Sequence, residues 1–155
     1  MVFNMFLILE ENDDREKFCD LYERANANIY IRVYSILKNK QDTEDALQGA
    51  WEKVMKNFDK IKNQSYDKRI NFVWIVAKNT AIDIYNKRKK VIDIESYDTI
   101  SGNSTYQVEN RAISKIESDI VVTAIGQIDD KYKNTLILKY IYNCTNKEIA
   151  EILNI

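Results

Sequence analysis

The chain contains no proline and only three glycines, and this shortage of backbone punctuation restricts its possible folds more than any motif does. Strands are joined by tight turns, which draw on residues that tolerate unusual backbone angles or fix φ in advance. A chain so poor in them, and rich in helix formers, is expected to be all-α.

The spacing of apolar residues carries the same expectation along the chain. Phe18, Leu21, Tyr22, Ala25, Ile29, Val33, Ile36 and Leu37 recur at three- and four-residue steps, which predicts a long helix over 14–38 with one apolar face. A second helix over 42–61 is expected to begin at an Asp42 cap and to turn Leu47, Trp51, Val54, Met55 and Phe58 inward. The polar stretch KNQSYDKR, 62–69, reads as a loop, and a third helix is expected over 68–90 with Ile70, Val73, Val76, Ala77 and Ile84 on its apolar side. Periodicity fails over 91–110, where DTISGNSTYQ has the small polar composition of a linker. Beyond it, helices over 111–126 and 130–142 are expected to share Ile116, Ile120, Val121, Ala124, Ile128, Leu136, Ile137, Tyr140 and Ile141 as a core. The expected architecture is two small helical domains, 1–90 and 111–155, joined by a flexible linker.

The final residues, TNKEIAEILNI, specify one more helix in detail. Thr145 and Glu148 form a capping box, in which each side chain satisfies a backbone N–H of the other. Ile149, Ala150, Ile152 and Leu153 give the helix an apolar face, and Asn154 can take the left-handed conformation that ends it. This is how a helix-turn-helix begins, and the DNA-reading helix would come next. Without that helix, Ile149, Ile152 and Leu153 are expected to leave apolar surface uncovered, so the expectation is a longer native chain.

Composition closes off several kinds of chemistry. Histidine, the commonest general base and metal ligand, is missing altogether. Cys19 and Cys144 lie far apart without metal-ligand spacing, which suits a reducing cytosol. No nucleophile and base stand at motif spacing, and no glycine-rich phosphate loop is present, so neither catalysis nor a metal or cofactor is expected. MVFNMFLILEE has no basic residue ahead of its apolar stretch, and no apolar run reaches membrane-spanning length, so neither a signal peptide nor membrane insertion is expected. The net charge of −1 hides one uneven segment: residues 60–90 hold nine Lys and Arg against two Asp and Glu, a local excess of +7. Such a block between acidic flanks points to contact with a polyanion.

Three stretches in order, DTEDALQGAWEKVMKNFDKI, FVWIVAKNTAIDIYNKRKK and IGQIDDKYKNTLILKYIYNCTNKEIAEILNI, resemble the extracytoplasmic-function (ECF) sigma factors of bacterial RNA polymerase. The resemblance runs from about residue 21 to 155, broken at the linker. It implies a transcription initiation factor whose partners are core RNA polymerase, promoter DNA and an anti-sigma protein. Asp45, Gln48 and Glu52 fall on the helix that docks on polymerase in the family. The loop and third helix match the part that melts the promoter and holds the minus-ten element as a single strand. Asn63, Gln64, Tyr66, Asn71, Phe72 and Trp74 would supply amides and stacking rings, while Lys62, Lys68, Arg69, Lys87, Arg88, Lys89 and Lys90 would meet phosphates. Phe72 and Trp74 cannot both lie on a narrow stripe with Val73, Val76 and Ala77, so at least one is expected to face solvent. Asn79 and Asp83 match the family's IAxNxxxD pattern, with structural hydrogen bonding as their other reading. The sequence departs from the family at Phe72, where Trp is frequent, and at Asn86, where Arg is common. Thr145, Glu148, Ile149 and Ala150 match the first helix of the family's helix-turn-helix; recognition of the minus-thirty-five element would fall to the next helix, so these 155 residues alone are expected not to read it. A helical interaction protein or decoy that keeps this fold without reading DNA is the alternative.

Overall fold

The structure is a computed structural model that describes residues 9, 11–93, 124 and 126–155. Apart from residues 124 and 126, which are helical, the expected helix over 111–126 lies outside the described residues, as do all but the first residues of the expected linker. Among the described residues every regular element is an α-helix: α1 (Asn12–Leu37), α2 (Lys40–Lys56), α3 (Phe58–Ile61), α4 (Tyr66–Asp93), α5 (Asp130–Tyr140) and α6 (Asn146–Leu153).

Helix α1 buries Phe18, Leu21, Ala25, Ile29, Val33 and Leu37, the three- and four-step row that its sequence spells out. It stops at Lys38, which adopts the left-handed conformation with φ 52° while its N–H bonds to Tyr34 O at 2.8 Å. Asn39 follows immediately and caps α2, its side chain accepting the Asp42 N–H at 2.9 Å. The cap is therefore Asn39 and not Asp42. The helix starts early enough to place Asp42 within its first turn, where a carboxylate still complements the helix dipole.

Aromatic rings lock the first helices together. Phe18 meets Trp51 edge to face at 5.8 Å and Phe58 at 5.4 Å, and the Trp51 indole N–H donates to Asn26 Oδ1 at 3.0 Å. Lys62 bridges Asp14 and Asp59, each at 2.9 Å, so the loop after α3 is tied back to the start of α1.

Helix α4 is the centre of the molecule. Phe72, Val73, Trp74, Ile75, Val76 and Ala77 are six consecutive buried residues, which a helix lying on one surface cannot achieve. Helices α1 and α2 cover one side of α4, and α6 packs on it as well as on α5. Ile149, Ile152 and Leu153 are buried in that contact. The expected uncovered apolar surface is thus absent, because α4 and α5 supply the cover.

The capping box of α6 is present as read: Thr145 N donates to Glu148 Oε2 at 2.7 Å and Glu148 N to Thr145 Oγ1 at 3.3 Å. Asn154 ends the helix in the left-handed conformation. The expected core position Tyr140 is 74 % exposed, whereas Tyr142 is 2 % exposed. Helix α5 turns Ile137 and Leu138 inward and leaves Tyr140 on its outer side, and the turn that follows the helix brings Tyr142 into the core.

Candidate nucleic-acid interface

Three groups of polar residues border the core of α2 and α4. On α2, Ala46, Leu47, Ala50, Trp51 and Val54 face inward, which leaves Asp45, Gln48 and Glu52 exposed on the opposite side. Spacings of three and four residues put them on one face, as read from the sequence. Gln41 Nε2 donates to Asp45 Oδ1 at 3.2 Å and orients that carboxylate.

The second group surrounds the loop before α4, and its members are engaged to different degrees. Lys62 is held by two carboxylates; the hydrogen bond it donates to Asp14, then that to Asp59, raises its pKa well above the usual lysine range. It is a structural cation, not the free phosphate ligand expected. Arg69 Nε donates to the backbone oxygen of Gln64 at 2.9 Å, clasping the loop. Asn63 and Lys68 are exposed, and Gln64 and Asn71 are half-buried.

The rings expected to stack on bases are covered. The Arg24 guanidinium lies 3.9 Å from the centre of Tyr66, and that of Arg32 lies 4.7 Å from the centre of Trp74. Phe72 is 0 % exposed and Trp74 9 %, so the expectation that one of them faces solvent is not met. It assumed a single apolar stripe, and a helix covered on both sides has none. Among the described residues the buried Trp74 indole N–H meets no hydrogen-bond partner.

Asn79 and Asp83 do not bond to each other. Asn79 Nδ2 donates to Ile75 O at 2.8 Å within α4, and Asp83 accepts from Asn154 of the C-terminal segment. Both bonds are of the structural kind. Asn154 Oδ1 also accepts from Lys53 at 2.9 Å, and burial pushes the Lys53 ammonium below its ordinary pKa.

The third group is the basic end of α4, where Lys87, Arg88, Lys89 and Lys90 are all exposed. Arg88 pairs with Asp42 at 2.6 Å. At about 1.5 Å of rise per residue, this end stands roughly 36 Å along α4 from the loop, so the two basic groups are not adjacent.

Tyr142 is the residue that sequence reasoning missed. Its ring meets Phe72 edge to face at 5.0 Å, its O–H donates to Lys68 O at 2.6 Å, and it accepts from Asn71 Nδ2 at 3.4 Å. Burial pushes its pKa up to about 12, and that of neighbouring Cys144 up to about 11. The sequence signal was available in Tyr142 and Cys144, two apolar-bodied residues just past the end of α5.

The ECF RNA polymerase sigma factor SigW of Bacillus subtilis (strain 168) is 30% identical to this chain over 154 residues, covering 92% of the chain and 80% of the relative. The ECF RNA polymerase sigma factor SigM of the same organism is 27% identical over 137 residues, covering 88% and 81%. A third relative there, the ECF RNA polymerase sigma factor SigX, is 23% identical over 145 residues, covering 89% and 73%. No family model matches the chain, and no solved structure does.

Proposed function

The chain belongs to the ECF sigma factors of RNA polymerase, and we propose that it works as a transcription initiation factor that docks on core polymerase through α2 and captures the melted minus-ten strand at the loop and α4. The observation that carries the docking step is the division of α2 into a fully buried face and an exposed face bearing Asp45, Gln48 and Glu52. Polar side chains displayed on a rigid, well-packed helix suit a specific protein interface better than a loop would.

Strand capture draws on exposed Asn63 and Lys68, on the amides of Gln64 and Asn71, and on the cations at the end of α4. Unpaired bases accept amide hydrogen bonds and ring stacking, while cations neutralise the phosphates. Nothing is transformed chemically; binding energy offsets the few kcal/mol lost on unstacking. Residues 1–90 serve as the polymerase- and strand-binding domain and 111–155 as a helix-turn-helix domain whose first helix is α6. An anti-sigma protein would be its regulator. No described helix is long and apolar enough to cross a membrane.

The test is fluorescence anisotropy against purified bacterial core RNA polymerase, comparing the unaltered chain with Asp45→Arg/Gln48→Ala. Both positions are exposed, so the variant should fold normally and lose binding. Failure of the folded, unaltered chain to bind would replace this reading with that of an interaction protein that keeps the fold alone.

A further inference from the structure

We propose that α1 supplies the base-stacking platform of the strand-capture site: the guanidiniums of Arg24 and Arg32, laid over Tyr66 and Trp74 of α4, receive unpaired bases of single-stranded DNA. The inference rests on the reading of the loop and α4 as the capture site, and it goes further by assigning the stacking role to residues of another helix.

The need for such a platform follows from burial. Phe72 is 0 % exposed and packs against the Tyr142 ring, and Trp74 is 9 % exposed, so neither presents an open ring face to a base. What solvent meets above Tyr66 and Trp74 is a guanidinium. Arg24 Cζ lies 3.9 Å from the centre of the Tyr66 ring and Arg32 Cζ 4.7 Å from that of Trp74, and both arginines are exposed. A guanidinium is planar, so one side can rest on a protein ring while the other takes a base.

The arrangement is repeated in register. Arg24 and Arg32 are eight residues apart on α1, and Tyr66 and Trp74 are eight apart on α4, so the helices run side by side and the motif recurs along their seam. At about 1.5 Å of rise per residue the two pairs stand roughly 12 Å apart, enough for each to hold a separate base. Asn28 lies between the arginines on the same face, exposed, with an amide that can donate to and accept from a base edge. Tyr66 opens α4 directly after the loop that bears Asn63 and Gln64. A strand leaving the loop therefore meets Arg24 first and Arg32 second.

The charges on the seam are available. Among the described residues Arg32 has no ion-pair partner, and Arg24 reaches only Asp20, at 3.4 Å with both side chains more than half exposed. Such a pair holds weakly. At the edge of the ring that Arg32 covers, the buried Trp74 N–H has no acceptor among the described residues, a cost that a base carbonyl entering the seam would relieve.

The test uses the whole chain and two fluorescein-labelled probes of equal length, a short homothymidine strand and an abasic strand with the same phosphates. Anisotropy compares the unaltered chain with Arg24→Lys and Arg32→Lys, which keep the cation but not its plane; both positions are exposed, and the urea midpoint checks the fold. Each variant should bind homothymidine about tenfold more weakly, the scale of one lost base stack, and should bind the abasic strand with a far smaller loss. Equal losses on the two probes, or no loss on either, would overturn the platform while leaving the capture reading in place. Variants that keep strand binding but lose core RNA polymerase would reassign the row to a protein interface and overturn it as well. An unaltered chain that binds neither probe would overturn the capture reading itself, and the platform with it.

Discussion

Arg88 places its guanidinium 2.6 Å from the Asp42 carboxylate and so joins the basic end of α4 to the first turn of α2. This divides the basic cluster. Lys87, Lys89 and Lys90 present exposed charge, while the charge of Arg88 is already matched within the protein.

Salt dependence of single-strand binding should reveal the division. Each phosphate contact removed lowers the slope of log affinity against log salt by about 0.7. Lys87→Ala, Lys89→Ala and Lys90→Ala should each approach that value, and Arg88→Ala should fall short of it. Lys62→Ala should leave the slope unchanged and instead destabilise the fold, since Asp14 would remain as a buried carboxylate without its cation. Equal slopes for all five proteins would contradict the assignment.

Gly49 lies within α2, and a methyl group there would meet Thr80 Cγ2 at 3.7 Å, an ordinary contact distance. Gly49→Ala should therefore raise stability by about 0.5–1 kcal/mol, because alanine loses less backbone freedom in a helix. The urea midpoint is the measurement, and a fall in it would show that α2 and α4 pack too closely there for a methyl group.

Thr145→Ala removes the reciprocal cap of α6 and should cost about 1 kcal/mol. The loss should be local. Amide exchange should accelerate over α6 while the amides of α1 keep their protection.

Alkaline pH should release the C-terminal helices. Tyr142 titrates at about 12 in the folded protein against 10.0 ordinarily, and Cys144 at about 11 against 9.0, each mainly because burial disfavours its anion. Both groups are neutral in either state below pH 9, so the docked form keeps its full stability there. As pH rises through 9 to 12 the released form ionises first, and the Tyr142 share of the loss amounts to about 2–3 kcal/mol. Near-ultraviolet circular dichroism should show the transition, and Tyr142→Phe should remove its upper part. An unchanged titration of the variant would mean that Tyr142 is not buried in solution.

The helices and their caps were legible because they depend on neighbours in sequence. The row from Phe18 to Leu37, the stripe on α2 and the Thr145 to Glu148 cap need only helical geometry to be read. Even here a local competitor was missed: Asn39 accepts the N–H at the start of α2 and displaces Asp42 from the cap. The candidate site was legible in part. The exposed face of Asp45, Gln48 and Glu52 follows from the period of α2, whereas the burial of Phe72 and Trp74 does not follow from the period of α4.

What the sequence determined by itself, then, was the all-α class, the helices of the described residues to within a few positions apart from the break at Asn57 that divides the expected 42–61 helix into α2 and α3, and the segment of excess positive charge. Each is set by backbone propensity, apolar period or composition, which act over a few residues. Only the tertiary structure decided that α4 is covered on both sides, that Lys62 is held by Asp14 and Asp59, and that Tyr142 closes on Phe72, Asn71 and Lys68. Apart from the local Lys62–Asp59 pair, the side-chain contacts named here join residues roughly 50 to 75 positions apart wherever burial and unpaired polar groups demand a partner, and no local pattern in the chain encodes which partner that will be.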